Sequence, residues 1–321
     1  MASSPNITRY RFLAANVIPL IRELNTQLNF EKSYAVMERA FKRGVNYFDT
    51  AEAYAGGQSE RFMGKIIATG IKRGVWSRED LVMSTKIFFG TKHGTDQRAG
   101  PNEQGLSRKH IVEGTKASLK RLGLEYVDTI FCHRPDPCTP IEETVRAMNY
   151  VIKRGWAFYW KTSERSARDI IEACEIADRL GLNRPVIPCS WVDDIGGAKL
   201  TKYAQQAFDQ PQYHILERSH VELDYYVLYE VAKADKLATI AKEIGCTLAQ
   251  LAIAWCVSNE HVSTVILGAS SVAQLDENLD SLNFVDKLTP EIRARIDEIA
   301  DVRLSIPVPK ARLLAMREQW L

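Results

Sequence analysis

The chain has 321 residues, 45% hydrophobic and 26% charged, which supplies a sizeable core and excludes a disordered or fibrous character. Forty-two basic and 40 acidic side chains leave a formal net charge of +2, too little for nucleic acid or an anionic membrane to be the charge-driven partner. The six cysteines contain no Cys-x-x-Cys pair, so a reducing compartment is expected and zinc ligation has little support.

In chain order, the first ten residues lack an apolar leader core, and no uncharged apolar run reaches the roughly 18 residues of a membrane span, so a cytosolic chain without membrane insertion is expected. An apolar run at 45–48 ends at Asp49, with Tyr54 in the following loop. A second run, 81–85, ends at Lys86. Ser107 opens a helix in which Ile111, Thr115, Leu119 and Leu122 recur at helical spacing until Gly123. The run 127–132 ends at His133. Thr139-Pro140-Ile141-Glu142 reads as a capping box, Glu142 and Glu143 suit the positive end of the helix dipole, and Gly155 stops the helix after Lys153 and Arg154. A run at 156–160 and a helix over 166–180 follow. The helix 247–257 carries Leu248, Leu251, Ala252, Trp255 and Cys256 on one face, and a last run, 264–267, enters Gly268-Ala269-Ser270.

Continuous apolar strands separated by amphipathic helices indicate βα units and a parallel sheet covered on both faces, within one domain spanning 1–321. Three successive strands thus end in Asp49, Lys86 and His133. In a parallel barrel those ends share the face where such folds place their chemistry. An acid and an amine there can pair, and a cation beside a phenol makes tyrosine a usable proton donor, with Tyr54 within reach. Singly, each has a plainer reading: a structural ion pair, a packing tyrosine, a satisfied core histidine. Their convergence on one face is the more specific signal.

The strings Gly44-Val45-Asn46-Tyr47-Phe48-Asp49-Thr50-Ala51-Glu52-Ala53-Tyr54, Ser84-Thr85-Lys86 and Phe131-Cys132-His133-Arg134-Pro135-Asp136 resemble the aldo-keto reductases. Gly155-Trp156-Ala157-Phe158-Tyr159-Trp160 is similar to the branch that contains the voltage-gated potassium channel β-subunits. The resemblance covers roughly 30–184 and again 210–300. It implies a (β/α)8 TIM barrel and NADP (NADPH) as cofactor. It also implies hydride transfer to an aldehyde or ketone, with Tyr54 as general acid, Lys86 easing its proton release, Asp49 pairing with Lys86 and His133 orienting the carbonyl oxygen. Channel β-subunits often carry asparagine at the histidine position, so His133 favours a working reductase. The resemblance further implies Ser163 and Gln210 at the nicotinamide carboxamide, with Tyr213 nearby. Gly268, Ser270, Gln274, Glu277 and Asn278 would surround the phosphate and adenosine, where the helix start presents unpaired N–H groups. A small carbonyl substrate, a potassium channel's cytoplasmic domain and a homo-tetramer are the implied partners.

Three segments depart from that pattern. After Tyr10-Arg11-Phe12-Leu13, the run Ala14-Ala15-Asn16-Val17-Ile18-Pro19-Leu20-Ile21-Arg22-Glu23 stands where the first barrel strand runs towards a Gly-x-Trp motif, so that strand is expected to be missing or replaced. Residues 187–209 read as an insertion. After Leu228-Tyr229-Glu230 the chain enters a helix directly, without the seventh strand and the basic loop that would hold the 2′-phosphate, which leaves NAD as a competing cofactor. Lys161 replaces a usual glycine, and its side chain either crowds the nicotinamide or points to solvent. Two rivals to a reductase are therefore carried: a non-catalytic channel subunit that senses cofactor redox state, and an inactive isoform with a damaged cofactor site.

Overall fold

The computed structural model describes residues 13–16, 30–93, 95, 99–186, 225–259 and 265–300. Gln210, Tyr213 and the expected insertion at 187–209 lie outside the described residues.

Six strands are described: β1 (Leu13–Asn16), β2 (Tyr47–Asp49), β3 (Val82–Ile87), β4 (Val127–Cys132), β5 (Ala157–Thr162) and β6 (Val265–Gly268). The described helices are α1 (Phe30–Lys42), α2 (Gln58–Lys72), α3 (Arg108–Leu122), α4 (Ile141–Lys153), α5 (Ala167–Leu180), α6 (Tyr225–Ile244), α7 (Leu248–Val257), α8 (Val272–Asp280) and α9 (Pro290–Ala300). Every strand pairing is parallel and the sheet order is β5-β4-β3-β2-β1-β6. Neighbouring strands are consecutive in the chain until the last strand returns to pair with the first, which is the order of a (β/α)8 barrel.

Two expectations about strands are resolved here. The first strand is replaced, not missing: Leu13–Asn16 pairs with β2 at Ala15↔Phe48 and with β6 from Leu13↔Val265 to Asn16↔Gly268. A ladder is made by main-chain groups, so an unfamiliar side-chain sequence can still fill the position. By contrast, Leu228-Tyr229-Glu230 lies inside α6, a continuous helix of 20 residues, so helix follows where the family pattern has strand.

Helix starts follow the sequence at three places. Ser107, Ser166 and Thr247 each accept an N–H from the first turn, and Thr247 completes a capping box with Gln250. The capping box expected at Thr139 does not form. The Thr139 hydroxyl donates to Asp136 Oδ2 at 2.7 Å, and Glu142 turns instead to Arg146 and Arg179. Asp136, three residues upstream, accepts the Cys138 N–H as well, so a tighter local acceptor takes the hydroxyl before the helix can.

The main core joins the outward faces of the strands to α1–α5 and α8, with Phe48, Met83, Ile87, Ile130 and Trp160 fully or almost fully buried. A second cluster joins α6, α7 and α9 around Leu237, Leu251 and Ile296. Period-two alternation along β3 places Met83, Thr85 and Ile87 on the outward face and Ser84 and Lys86 on the inward one. Among the described residues no single helix is long and apolar enough to cross a membrane.

Candidate active site

The ends of β2 and β3 are in register at Asp49↔Ser84, which brings the inward side chains of both strands together. Asp49 Oδ1 accepts the Ser84 hydroxyl at 2.5 Å, and Oδ2 accepts the Lys86 ammonium. Lys86 also donates to the Thr50 carbonyl at 3.0 Å and to the Tyr54 hydroxyl at 3.3 Å. An ammonium has three N–H bonds and no acceptor, so these three contacts satisfy it completely. The Tyr54 oxygen acts as acceptor towards Lys86, which leaves its own proton free for another partner. Asp49 and Lys86 are both almost wholly buried. Burial opposes the charge on Lys86, yet the Asp49 carboxylate and the Tyr54 oxygen outweigh it and raise its pKa above 10.5.

Tyr54 begins a short 3-10 turn, Tyr54–Gly57, in which Ala55 has φ 50° and Gly56 and Gly57 are also left-handed. Only Ala55 pays a Cβ penalty for that geometry, about 1–2 kcal/mol. Strain of this kind persists where the surroundings over-determine it. Among the described residues the other non-glycine residue with positive φ is Glu164, next to Ser163.

His133 follows β4, and its N–H donates to the Ile87 carbonyl at 3.1 Å. Its ring meets the Tyr54 ring edge-on at 5.7 Å and the Phe89 ring at 5.2 Å. Burial, then the charges of Lys86, Arg134 and His93, push its pKa well below 6.5, so the imidazole is neutral. His133 Nδ1 is buried and has no hydrogen-bond partner among the described residues. Asp49, Tyr54, Lys86 and His133, drawn from three separate βα connections, therefore converge. Together they can hold a polarised oxygen next to a phenol whose oxygen is already backed by a cation.

The sequence profile of the aldo/keto reductase family matches residues 21–301. The chain belongs to the aldo/keto reductase family. A probable voltage-gated potassium channel subunit beta of Arabidopsis thaliana is 42% identical over 301 residues, covering 85% of this chain and 88% of that protein. A protein of the same name from Oryza sativa subsp. japonica is 40% identical over 302 residues, with 85% and 88% covered. A putative voltage-gated potassium channel subunit beta of Schizosaccharomyces pombe is 39% identical over 325 residues, with 86% of each chain covered. Membership accounts for the parallel barrel order and makes this an oxidoreductase fold by descent.

Within this aldo/keto reductase, the remaining expected residues divide. Ser163 is buried immediately after β5, one step beyond the Cys132↔Thr162 pair and so alongside His133 at the end of β4. Gly268 ends β6 opposite Asn16 of β1, and a Cβ built there would meet nothing within 4 Å among the described residues. The expectation of unpaired N–H groups at the following helix start is corrected in part. The Ser270 N–H and hydroxyl both donate to Gln274 Oε1, at 2.7 and 2.9 Å, and the Gln274 N–H donates to Ser271. With its own side chains at hand, the turn caps itself. Asn278 donates to the Gly268 carbonyl at 3.1 Å, while Glu277 is exposed.

Lys161 stands in one row with Phe131 and Lys86 across β5, β4 and β3, so it faces the barrel interior and not solvent. Its Nζ lies 5.5 Å from the Phe131 ring centre and 5.6 Å from that of Tyr47. Burial pulls its pKa down to about 8 against the attraction of Asp49.

Sequence reasoning missed Ser84, Phe89, Glu52 and His110. Ser84 was legible, because it stands two residues before Lys86 and shares its face. The other three act through contacts that no local pattern encodes.

Proposed function

We propose that this chain is an NADP-dependent reductase of small aldehydes or ketones that works in the cytosol. The observation that carries the reading is the contact of Lys86 Nζ with the Tyr54 hydroxyl at 3.3 Å, with the same ammonium anchored on Asp49. In this reading Tyr54 gives its proton to the carbonyl oxygen, and Lys86 stabilises the phenolate left behind. Asp49 keeps the ammonium aimed at the phenol. His133, uncharged, offers the carbonyl oxygen a hydrogen bond without competing with the charge on Lys86. A bound nicotinamide dinucleotide supplies the hydride.

The residues present fit such a group at its reactive end. The partnerless Nδ1 of buried His133 marks a polar site waiting for a ligand atom, and Ser163 and Gln210 are proposed to hold the carboxamide. Gly268, Ser270, Gln274, Glu277 and Asn278 are proposed to surround the phosphate and adenosine. The space over Gly268, clear of atoms of the described residues within 4 Å of a Cβ, supports this, although Gln274 must release the Ser270 N–H to a phosphate. The quenching of protein fluorescence on adding NADPH, set against NADH, tests the cofactor and its preference. Turnover with an aromatic aldehyde is then followed at the NADPH absorbance. Tyr54→Phe is expected to retain binding and lose activity by about 10²- to 10⁴-fold; unchanged activity would remove Tyr54 from its role. Failure to bind either dinucleotide would favour the inactive isoform.

The names of the three relatives favour a second reading, a homo-tetrameric regulatory subunit on the cytoplasmic domain of a potassium channel. Co-purification with such a domain, together with NADPH binding but no turnover, would select it.

A further inference from the structure

Glu52 lies between Asp49 and Tyr54 in the chain, yet its carboxylate reaches a different set of partners. Its Oε1 accepts the Phe88 N–H at 2.7 Å and the Gly90 N–H at 2.9 Å, and lies 3.1 Å from His110 Nε2 on α3. Both side chains are buried, 2% and 5% exposed. The other face of the pair packs on Gly114, where a Cβ would stand 3.2 Å from Glu52 Oε2, tight enough that the carboxylate would have to shift by a few tenths of an ångström. The Glu52 N–H donates to the Lys86 carbonyl at 3.1 Å, so one residue ties the loop after β2 to β3, to the segment after β3 and to α3.

The two N–H groups held by Glu52 flank Phe89. β3 ends at Ile87, so residues 88–90 have left the ladder, and the carboxylate supplies acceptors that the sheet no longer does. Phe89 in turn sets its ring against His133 at 5.2 Å and stacks on His93 at 4.3 Å. A buried carboxylate is tolerated when several donors converge on it, and such charge-assisted bonds are strong and directional. The wall beside His133 is thereby fixed from behind by a group that never meets the substrate.

We infer that Glu52 and His110 form a positioning pair that sets the aromatic wall of the carbonyl pocket by holding Phe88–Gly90, and with it Phe89, against His133. The pair acts on the reaction only through Phe89 and His133, so its catalytic consequence rests on the reductase reading above.

The test uses the full chain with NADPH and an aromatic aldehyde. His110→Phe keeps a flat ring but removes the N–H; His110→Gln keeps a donor. His110→Phe is expected to lower kcat on the order of 10- to 100-fold while NADPH affinity, read by fluorescence, stays within about twofold, and His110→Gln is expected to recover most of the loss. In cofactor-free protein the imidazole C–H resonance of His133, assigned by its disappearance in His133→Asn, shifts in His110→Phe and not in His110→Gln. The isosteric Glu52→Gln weakens the acceptor, moves both readouts in the same direction, and serves if His110→Phe does not fold. An unmoved resonance in His110→Phe, or equal losses in both His110 variants that track their melting temperatures, would overturn the pair. If the unaltered chain shows no turnover, the reductase reading fails and the resonance alone decides: its selective shift upholds the pair as the holder of the wall.

Discussion

At position 133 a histidine is held neutral between two aromatic rings, and this has a measurable cost. Its folded pKa lies well below 6.5 because of burial and of the charges on Lys86, Arg134 and His93. The unfolded chain therefore takes up the proton first. Stability is complete above about pH 6.5 and falls as the pH drops through that value towards the folded pKa. Thermal melts of the unaltered chain and of His133→Asn between about pH 7.5 and 5 are expected to diverge, with the asparagine form showing the shallower decline; parallel curves would show that the ring is not held neutral. Lys86 behaves differently because its partner is buried with it. Lys86→Met leaves the Asp49 carboxylate without its cation and is expected to cost about 3–5 kcal/mol in urea unfolding, where loss of an exposed pair such as Lys109–Glu113 costs about 0.5 kcal/mol or less. The difference is the desolvation of the group left behind. A loss under 1 kcal/mol, about the exposed-pair value, would mean that water reaches Asp49.

Among the elements, two threonines with the same local signature behave differently. Thr247 accepts the Gln250 N–H, Gln250 returns the bond to the Thr247 N–H, and the Gln250 amide reaches on to the Glu277 carbonyl of α8. Thr139 spends its hydroxyl on Asp136. Thr247→Ala is accordingly expected to destabilise the chain by about 1 kcal/mol, seen as a lower urea midpoint at unchanged slope. A neutral result would mean that the α7–α8 packing, and not the cap, fixes that helix start. The capping pattern is thus readable from sequence only where no closer acceptor competes, and Asp136 becomes a competitor only once its loop has folded back on itself.

Over the whole molecule, α2 and α3 approach so closely that Gly64 has no room for a side chain: a Cβ there would stand 2.1 Å from the Leu122 carbonyl oxygen. The same pair of helices is joined by the Arg121–Glu60 ion pair, and Glu60 in turn accepts the hydroxyl of Thr85 on β3. Helix spacing and sheet are therefore one mechanical unit behind the site. Gly64→Ala is expected to force the helices apart at a cost of about 1–3 kcal/mol and to lower the melting temperature. An unchanged melting temperature would show that the α2–α3 contact relaxes without strain.

The sequence alone brought Asp49, Lys86 and His133 to the C-terminal ends of their strands to within a residue, because apolar runs, helix caps and glycine stops are local patterns; β3 runs on past Lys86 to Ile87. It also determined a parallel sheet covered on both faces, since continuous apolar runs between amphipathic helices have few other ways to be buried, while the barrel closure came from the resemblance to the aldo-keto reductases. It could not say whether the unfamiliar residues at 14–16 still make a strand; ladder bonds belong to the backbone and leave little trace in side-chain identity. Only the tertiary structure decided that Lys161 faces inward, that Ser270 is already bonded by Gln274, and that Glu52 meets a histidine 58 positions away. Those contacts depend on strand register and on how the helices settle against the sheet, quantities set by the packing of the entire core and not by any stretch of neighbouring residues.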